Sequence, residues 1–171
     1  MNVPALIAEL AGTERDASED EIRRIREYVA ERGFDPDALE RVRGRGAGIV
    51  WRGQTLRGRD QLPPAEAHYV RHVLAEQEWP LGTSLQEYLE CVAQIVLDQG
   101  SGVFLSYYQD RLQLGFVGRS DHWRGEWGDD WILVDYRAST RHIVTAYQVE
   151  APEFAANQNA RRIIRWLRIP G

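Results

Sequence analysis

Four runs rich in β-branched and aromatic residues follow one another between residues 102 and 149, and they constrain the fold more than any other feature of the sequence. The runs are GVFLSYY, RLQLGFVGR, WILVDYR and HIVTAYQV, and their residue types favour strands. The links at residues 108–110 and 138–141 are short, while residues 120–130 separate the second run from the third. Short links favour antiparallel pairing of consecutive strands. We therefore expect a four-stranded antiparallel sheet.

Helical patterns precede these runs. Ser18 with Glu21 three positions later has the spacing of a capping box, and Gly33 is a stop signal for the helix that follows. The segments PAEAHYVRHVLAEQE and TSLQEYLECVAQIVLDQG predict two more helices. The last segment, ARRIIRWLRIPG, predicts a basic C-terminal helix that covers the sheet or its edge, with RNA contact as the alternative. The expected fold class is α+β, with N-terminal helices, a four-stranded antiparallel sheet and a C-terminal helix.

Charge and composition divide the chain into two parts. A length of 171 residues suits about one domain with a small appendage. Residues 1–48 contain 11 acidic residues and 8 arginines, and we interpret them as an acidic helical lead-in. Residues 49–171 are expected to form the α+β domain.

Several chemistries are excluded by composition. The net charge of −5 argues against a protein that coats nucleic acid indiscriminately. All 21 basic residues are arginines, so lysine-dependent mechanisms are excluded. The one cysteine, Cys91, lies on the apolar stripe of its predicted helix and is interpreted as a core residue. Neither a secretory signal nor an apolar run of about 18 residues is present. We expect a cytoplasmic protein without a membrane partner.

Two histidines and an arginine share one face of the predicted helix around the sequence HYVRH. His68, Arg71 and His72 have the i, i+3 and i+4 spacing that places side chains together. The group could bind an anion or a metal. Tyr69 stands where a zinc protease would have its general-base glutamate, and the charge of Arg71 opposes a cation. We therefore expect anion binding, with no metal and no cofactor.

The predicted strands supply partners of the right chemistry. Arg119 and Arg137 could contact a phosphate. Strand alternation predicts that Ile143, Thr145 and Tyr147 point to one face of the sheet.

The combination of HYVRH on a helix, a second helix, and a sheet containing WILVDYR and HIVTAYQ resembles the barnase–EndoU–colicin–RelE superfamily of small ribonucleases. Within that superfamily it is most similar to the toxin domains of polymorphic bacterial toxins and of phage. The resemblance covers about residues 60–150.

The resemblance implies RNA cleavage without a metal, in which the ribose 2′-hydroxyl attacks the adjacent phosphate and leaves a 2′,3′-cyclic phosphate. A helix histidine would transfer the proton, a sheet arginine would stabilise the phosphorane, and a threonine and a tyrosine would form the polar pair of the last strand. The implied catalytic residues are His68, His72, Arg119, Arg137, Thr145 and Tyr147. Those expected to bind RNA are Arg71, Arg141, Arg162 and Arg165. The implied partners are RNA, with tRNA among the options, and a cognate immunity or antitoxin protein.

A non-enzymatic binding module is the alternative. It would use the tryptophan-rich loop at residues 120–130 and the arginine-rich C-terminal tail to bind a protein or a nucleic acid. Convergence of the helix histidines with the sheet arginines and Thr145 distinguishes the two hypotheses, because a binding module has no reason to direct those groups into one cleft. Zinc-dependent hydrolysis is a distant third.

Overall fold

A computed structural model describes residues 2–33, 68–120, 131–150 and 161–171, with the backbone alone described for 161–163. The fold is α+β: helices pack against a five-stranded antiparallel sheet. The predicted boundary at residue 48 lies outside the described residues.

Four helices are described. They are α1 (Val3–Gly12), α2 (Glu19–Arg32), a π-helix (Tyr69–Ala75) and α3 (Leu85–Leu97), and α2 begins at the cap predicted at Ser18. Ser18 and Ser84 each form a complete capping box with the glutamate three residues later, which satisfies backbone groups that a helix end leaves without partners. Gly33 is the C-cap of α2, as predicted.

The first helix was not predicted, although its signals are in the sequence. The Asn2 side chain accepts a hydrogen bond from the backbone N–H of Ala5, and a proline occupies the first turn. Apolar residues at helical spacing face the core, namely Leu6, Ile7 and Leu10.

All pairs of neighbouring strands are antiparallel. The strands are β1 (Gly102–Tyr108), β2 (Arg111–Arg119), β3 (Trp131–Arg137), β4 (His142–Val149) and β5 (Arg161–Arg168), in the spatial order β4-β3-β2-β1-β5. Gln109 and Asp110 join β1 to β2, and both have positive φ, as a two-residue hairpin turn of the primed type requires. The four predicted strands and their sequential pairing are confirmed, but the prediction of a four-stranded sheet is wrong, because β5 adds a fifth strand.

The prediction of a C-terminal helix is wrong, because that segment forms β5 and pairs with β1. Without β5, the backbone groups along this side of β1 would be an open sheet edge. Alternate residues of β5 point to opposite faces: Trp166 packs on the ring of Phe104, and Arg165 donates a hydrogen bond to the carbonyl of Leu10. The alternating pattern in RIIRWLR fits a strand as well as a helix, and pairing with β1 decides between them.

The sheet has two different faces. Its helix-side face packs with α1, α2 and α3 into one hydrophobic core, and residues from the three helices in that core include Leu6, Ile25 and Val92. The opposite face, here called the distal face, carries a smaller apolar cluster. The buried members of that cluster are Phe104, Val117, Leu133 and Val149.

A register shift in β4 changes which residues share a face. Asp135 pairs with Thr145, whereas the next residue, Tyr136, pairs with Ile143. Ile143 therefore packs in the helix-side core. Its predicted placement beside Thr145 is wrong, because a bulge interrupts the period of two.

The packing of the distal face should require a glycine at position 115. A methyl group at this position would overlap the ring of Phe104 on the neighbouring strand. Gly115→Ala should lower the free energy of unfolding by about 1–3 kcal/mol, as overpacking does, when measured by urea denaturation. Gly12→Ala is the control, because its methyl group would meet no atom within 4 Å. Equal stability of the two variants would contradict this packing.

Candidate functional site at the β4 edge

The π-helix packs along β4, an edge strand of the sheet. Tyr69, Val70 and Val73 join the helix-side core. The backbone N–H of Glu76 donates to the carbonyl of Arg71, five residues earlier, at 2.8 Å. Such i→i+5 bonding is rare in proteins as a whole, and where it occurs it often marks a functional site.

Both helix histidines contact side chains of β4. Nδ1 of His68 lies 2.9 Å from the hydroxyl oxygen of Thr145, across 77 residues of sequence. The imidazole of His72 stacks on the ring of Tyr147, with centroids 5.3 Å apart, and on the ring of His68 at 5.5 Å. The structure therefore brings together four of the six residues that the sequence nominated for catalysis.

The bond to Thr145 fixes the chemical role of the His68 ring. In the neutral ring, if Nδ1 accepts a hydrogen bond from the hydroxyl, Nε2 carries the ring proton. If Nδ1 donates the hydrogen bond, Nε2 is the nitrogen without a proton. The bond therefore couples the tautomer of the His68 ring to the hydroxyl of Thr145.

Two glutamates that sequence analysis did not select complete the cluster. His72 Nδ1 lies 2.7 Å from Glu78 Oε1 and 2.8 Å from Glu76 Oε2. Glu78 Oε2 accepts a hydrogen bond from the backbone N–H of Gln148 in β4, at 2.7 Å. The available signal was the acidic pair four and six residues after His72 in HVLAEQE. Glu78 follows the end of the π-helix, so helical spacing could not place it.

The environments of the two carboxyl groups differ. Burial raises the pKa of Glu78, even though its bond to His72 acts in the opposite direction. Burial also acts to raise the pKa of Glu76, but hydrogen bonds with Arg71 and Glu78 outweigh it and lower that pKa. Glu76 is therefore the carboxyl group that more readily stays ionised.

A row of polar residues crosses the distal face near the cluster. Ser106, Gln113 and Arg137 are successive cross-strand partners on β1, β2 and β3. Ser106 Oγ, Gln113 Oε1 and Arg137 Nε are buried and have no hydrogen-bond partner among the described residues. An unsatisfied buried polar atom costs about 1–3 kcal/mol.

Arg137 is the sheet arginine on the strand next to Thr145, the partner of His68. Asp135, two residues before it, pairs directly with Thr145, so Arg137 is offset from Thr145 by about 7 Å along the strand direction. Burial lowers the pKa of Arg137 from its usual value. A partly desolvated guanidinium interacts more strongly with an anion than one in water.

Arg119 lies apart from this group. It is in register with Trp131, which pairs with Val149, and this row is about 13 Å along the strands from Thr145. The guanidinium stacks over the Trp131 ring at 4.7 Å.

The arginines predicted to bind RNA are dispersed. Arg71 Nε donates to Glu76 at 2.8 Å, and Arg141 is exposed in the β3–β4 turn with a positive φ of 59°. Arg165 bonds to the Leu10 carbonyl at 2.8 Å. Arg162 pairs with Tyr107 in the sheet, but its side chain lies outside the described residues, as does the tryptophan-rich loop at 121–130.

Cys91 is a core residue, as predicted. It is fully buried in the helix-side core, and burial raises the pKa of its thiol to about 12. A thiol that stays protonated at neutral pH is a poor nucleophile.

Among the described residues, no helix combines the length and the apolar character required to cross a bilayer. Comparison with protein-family models, with curated proteins and with solved structures found no match to this chain. The resemblance to small ribonucleases therefore remains a prediction from the sequence.

The contact between Thr145 and His68 should be measurable in stability. Thr145→Val keeps the shape of the side chain and removes its hydroxyl, so the free energy of unfolding should fall by about 0.5–1.5 kcal/mol. In ¹⁵N NMR spectra, the His68 ring nitrogens should shift because Nδ1 loses its partner. Thr140→Val, at an exposed turn position, is the matched control and should leave both readouts unchanged. An unchanged His68 spectrum in Thr145→Val would show that the contact is absent in solution.

Proposed function

We propose that the protein is a metal-independent, toxin-like endoribonuclease that cleaves RNA through attack of the 2′-hydroxyl and leaves a 2′,3′-cyclic phosphate. The observation that carries the proposal is the 2.9 Å contact between His68 and Thr145. It brings a helix histidine to the sheet face on which Arg137 also lies.

His68 is the proposed proton-transfer residue. Its side chain is partly exposed, whereas His72 is only 5 % exposed and has Nδ1 occupied by two glutamates. Since Thr145 holds Nδ1 of His68, Nε2 would take the proton from the 2′-hydroxyl or deliver one to the leaving 5′-oxygen. His72 and Tyr147 are positioning residues in this scheme, because their stacked rings limit where His68 can lie.

Arg137 is the proposed phosphate ligand. Its buried Nε has no partner among the described residues, and guanidinium groups match phosphate oxygens in geometry and charge. Negative charge builds up on the phosphorane, and a fixed cation in a partly desolvated site stabilises it.

RNA, with tRNA among the options, is the proposed substrate. A toxin-like nuclease also implies a cognate immunity or antitoxin protein that covers this site.

Cleavage of total RNA by the purified chain in the presence of EDTA tests the proposal. We expect products with 2′,3′-cyclic phosphate ends, and a rate reduced by about 10²–10⁴-fold in His68→Ala, the usual contribution of general acid–base groups. Arg137→Ala should also slow cleavage, because the phosphorane loses its cation. Gel electrophoresis and end-group mapping of the products measure both effects.

Arg23→Ala is the control, because Arg23 lies on the exposed face of α2 and pairs with Asp20 and Glu27. It should cleave at the wild-type rate. Melting temperatures of all variants separate a catalytic loss from unfolding. A folded His68→Ala variant that cleaves at the wild-type rate would show that His68 is not the proton-transfer residue. A wild-type chain that cleaves no RNA would favour the binding module.

A further inference from the structure

We propose that His72, Glu76 and Glu78 form a binding site for one divalent transition-metal ion, with Zn²⁺ the best fit. One ligand atom from each residue lies within 4.8 Å of the other two. His72 Nδ1 is 2.7 and 2.8 Å from the facing carboxylate oxygens, so a small adjustment of the side chains would place all three atoms around one ion. The ion would have a structural role at the β4 edge and no part in RNA cleavage.

The outer oxygens of both carboxylates are already held in place. Arg71 Nε donates to Glu76 Oε1 at 2.8 Å, and the Gln148 backbone N–H donates to Glu78 Oε2 at 2.7 Å. Each carboxylate therefore has its other oxygen, Glu76 Oε2 or Glu78 Oε1, directed at His72 Nδ1. Hydrogen bonds of this kind orient the ligands of metal sites.

Hydrogen bonds now hold the cluster together. A single Nδ1 can donate one N–H to one of the two carboxylate oxygens beside it, and a hydrogen bond joins the Glu76 and Glu78 side chains. A cation would take the place of these protons and bind both oxygens together with the nitrogen.

The donor set selects the kind of ion. Imidazole nitrogen with carboxylate oxygen suits zinc and its neighbours, whereas Mg²⁺ and Ca²⁺ prefer oxygen ligands alone. Three protein ligands leave a fourth tetrahedral position for water. The Glu76 side chain is 40 % exposed, which gives an ion access from solvent.

The same contacts change the case for a metal. The positive charge of Arg71 was expected to oppose a cation, but Glu76 pairs with it. A zinc site on HYVRH would have used His68 and His72, whereas His68 bonds to Thr145. The third ligand, Glu78, comes from beyond the π-helix.

Titration of the EDTA-treated, dialysed full chain with ZnCl₂ tests the site. Isothermal calorimetry should show binding of one ion. Co²⁺ should give the visible absorption of a tetrahedral site. Glu76→Gln and Glu78→Gln should each weaken Zn²⁺ binding at least tenfold.

Glu90→Gln is the matched control, since Glu90 is exposed on α3 and outside the cluster; it should bind Zn²⁺ like the wild type. Glu76 is itself exposed, so Glu76→Gln keeps the test decisive if Glu78→Gln fails to fold. Absence of one-to-one binding, or wild-type affinity in folded Glu76→Gln, would overturn the proposal. Neither result bears on RNA cleavage, which is assayed in EDTA.

Discussion

The outer edge of β4, with which no other described strand pairs, is the constraint on which the candidate site depends. An edge strand presents backbone N–H and C=O groups that need covering, and Glu78 accepts one of these N–H groups from Gln148. This bond fixes the segment after the π-helix against the sheet. The π-helix therefore lies along β4 with its apolar side in the core and its histidines against Thr145 and Tyr147. The contacts that cover the edge of β4 are therefore also the contacts that assemble the site.

The bulge in β4 is the second requirement. It lets Ile143 pack in the helix-side core while Thr145 and Tyr147 remain on the distal face. A regular strand would place Ile143 and Thr145 on the same side. The bulge thus separates the residues that stabilise β4 from those that contact the histidines.

His72 belongs to both proposals in different ways. Its ring stacks between His68 and Tyr147, and its Nδ1 faces two carboxylates. In the nuclease scheme it positions His68 without touching RNA, and a bound metal ion would hold it more firmly in that place. The metal site and the cleavage site would then be adjacent, and the imidazole of His72 would belong to both.

The sequence alone determined the capped helices, four strands with their antiparallel order, and the nomination of His68, Thr145 and Tyr147, because capping, alternation and short links are local signals. Tertiary structure decided the rest. The C-terminal segment became β5 because pairing with β1 outweighs a pattern compatible with both helix and strand. Strand register decided that Arg137 rather than Arg119 lies on the strand next to Thr145 and closer to it along the strands. Glu78 enters the cluster through a bond to β4, 70 residues away, and no local pattern encodes a contact between segments so far apart in the chain.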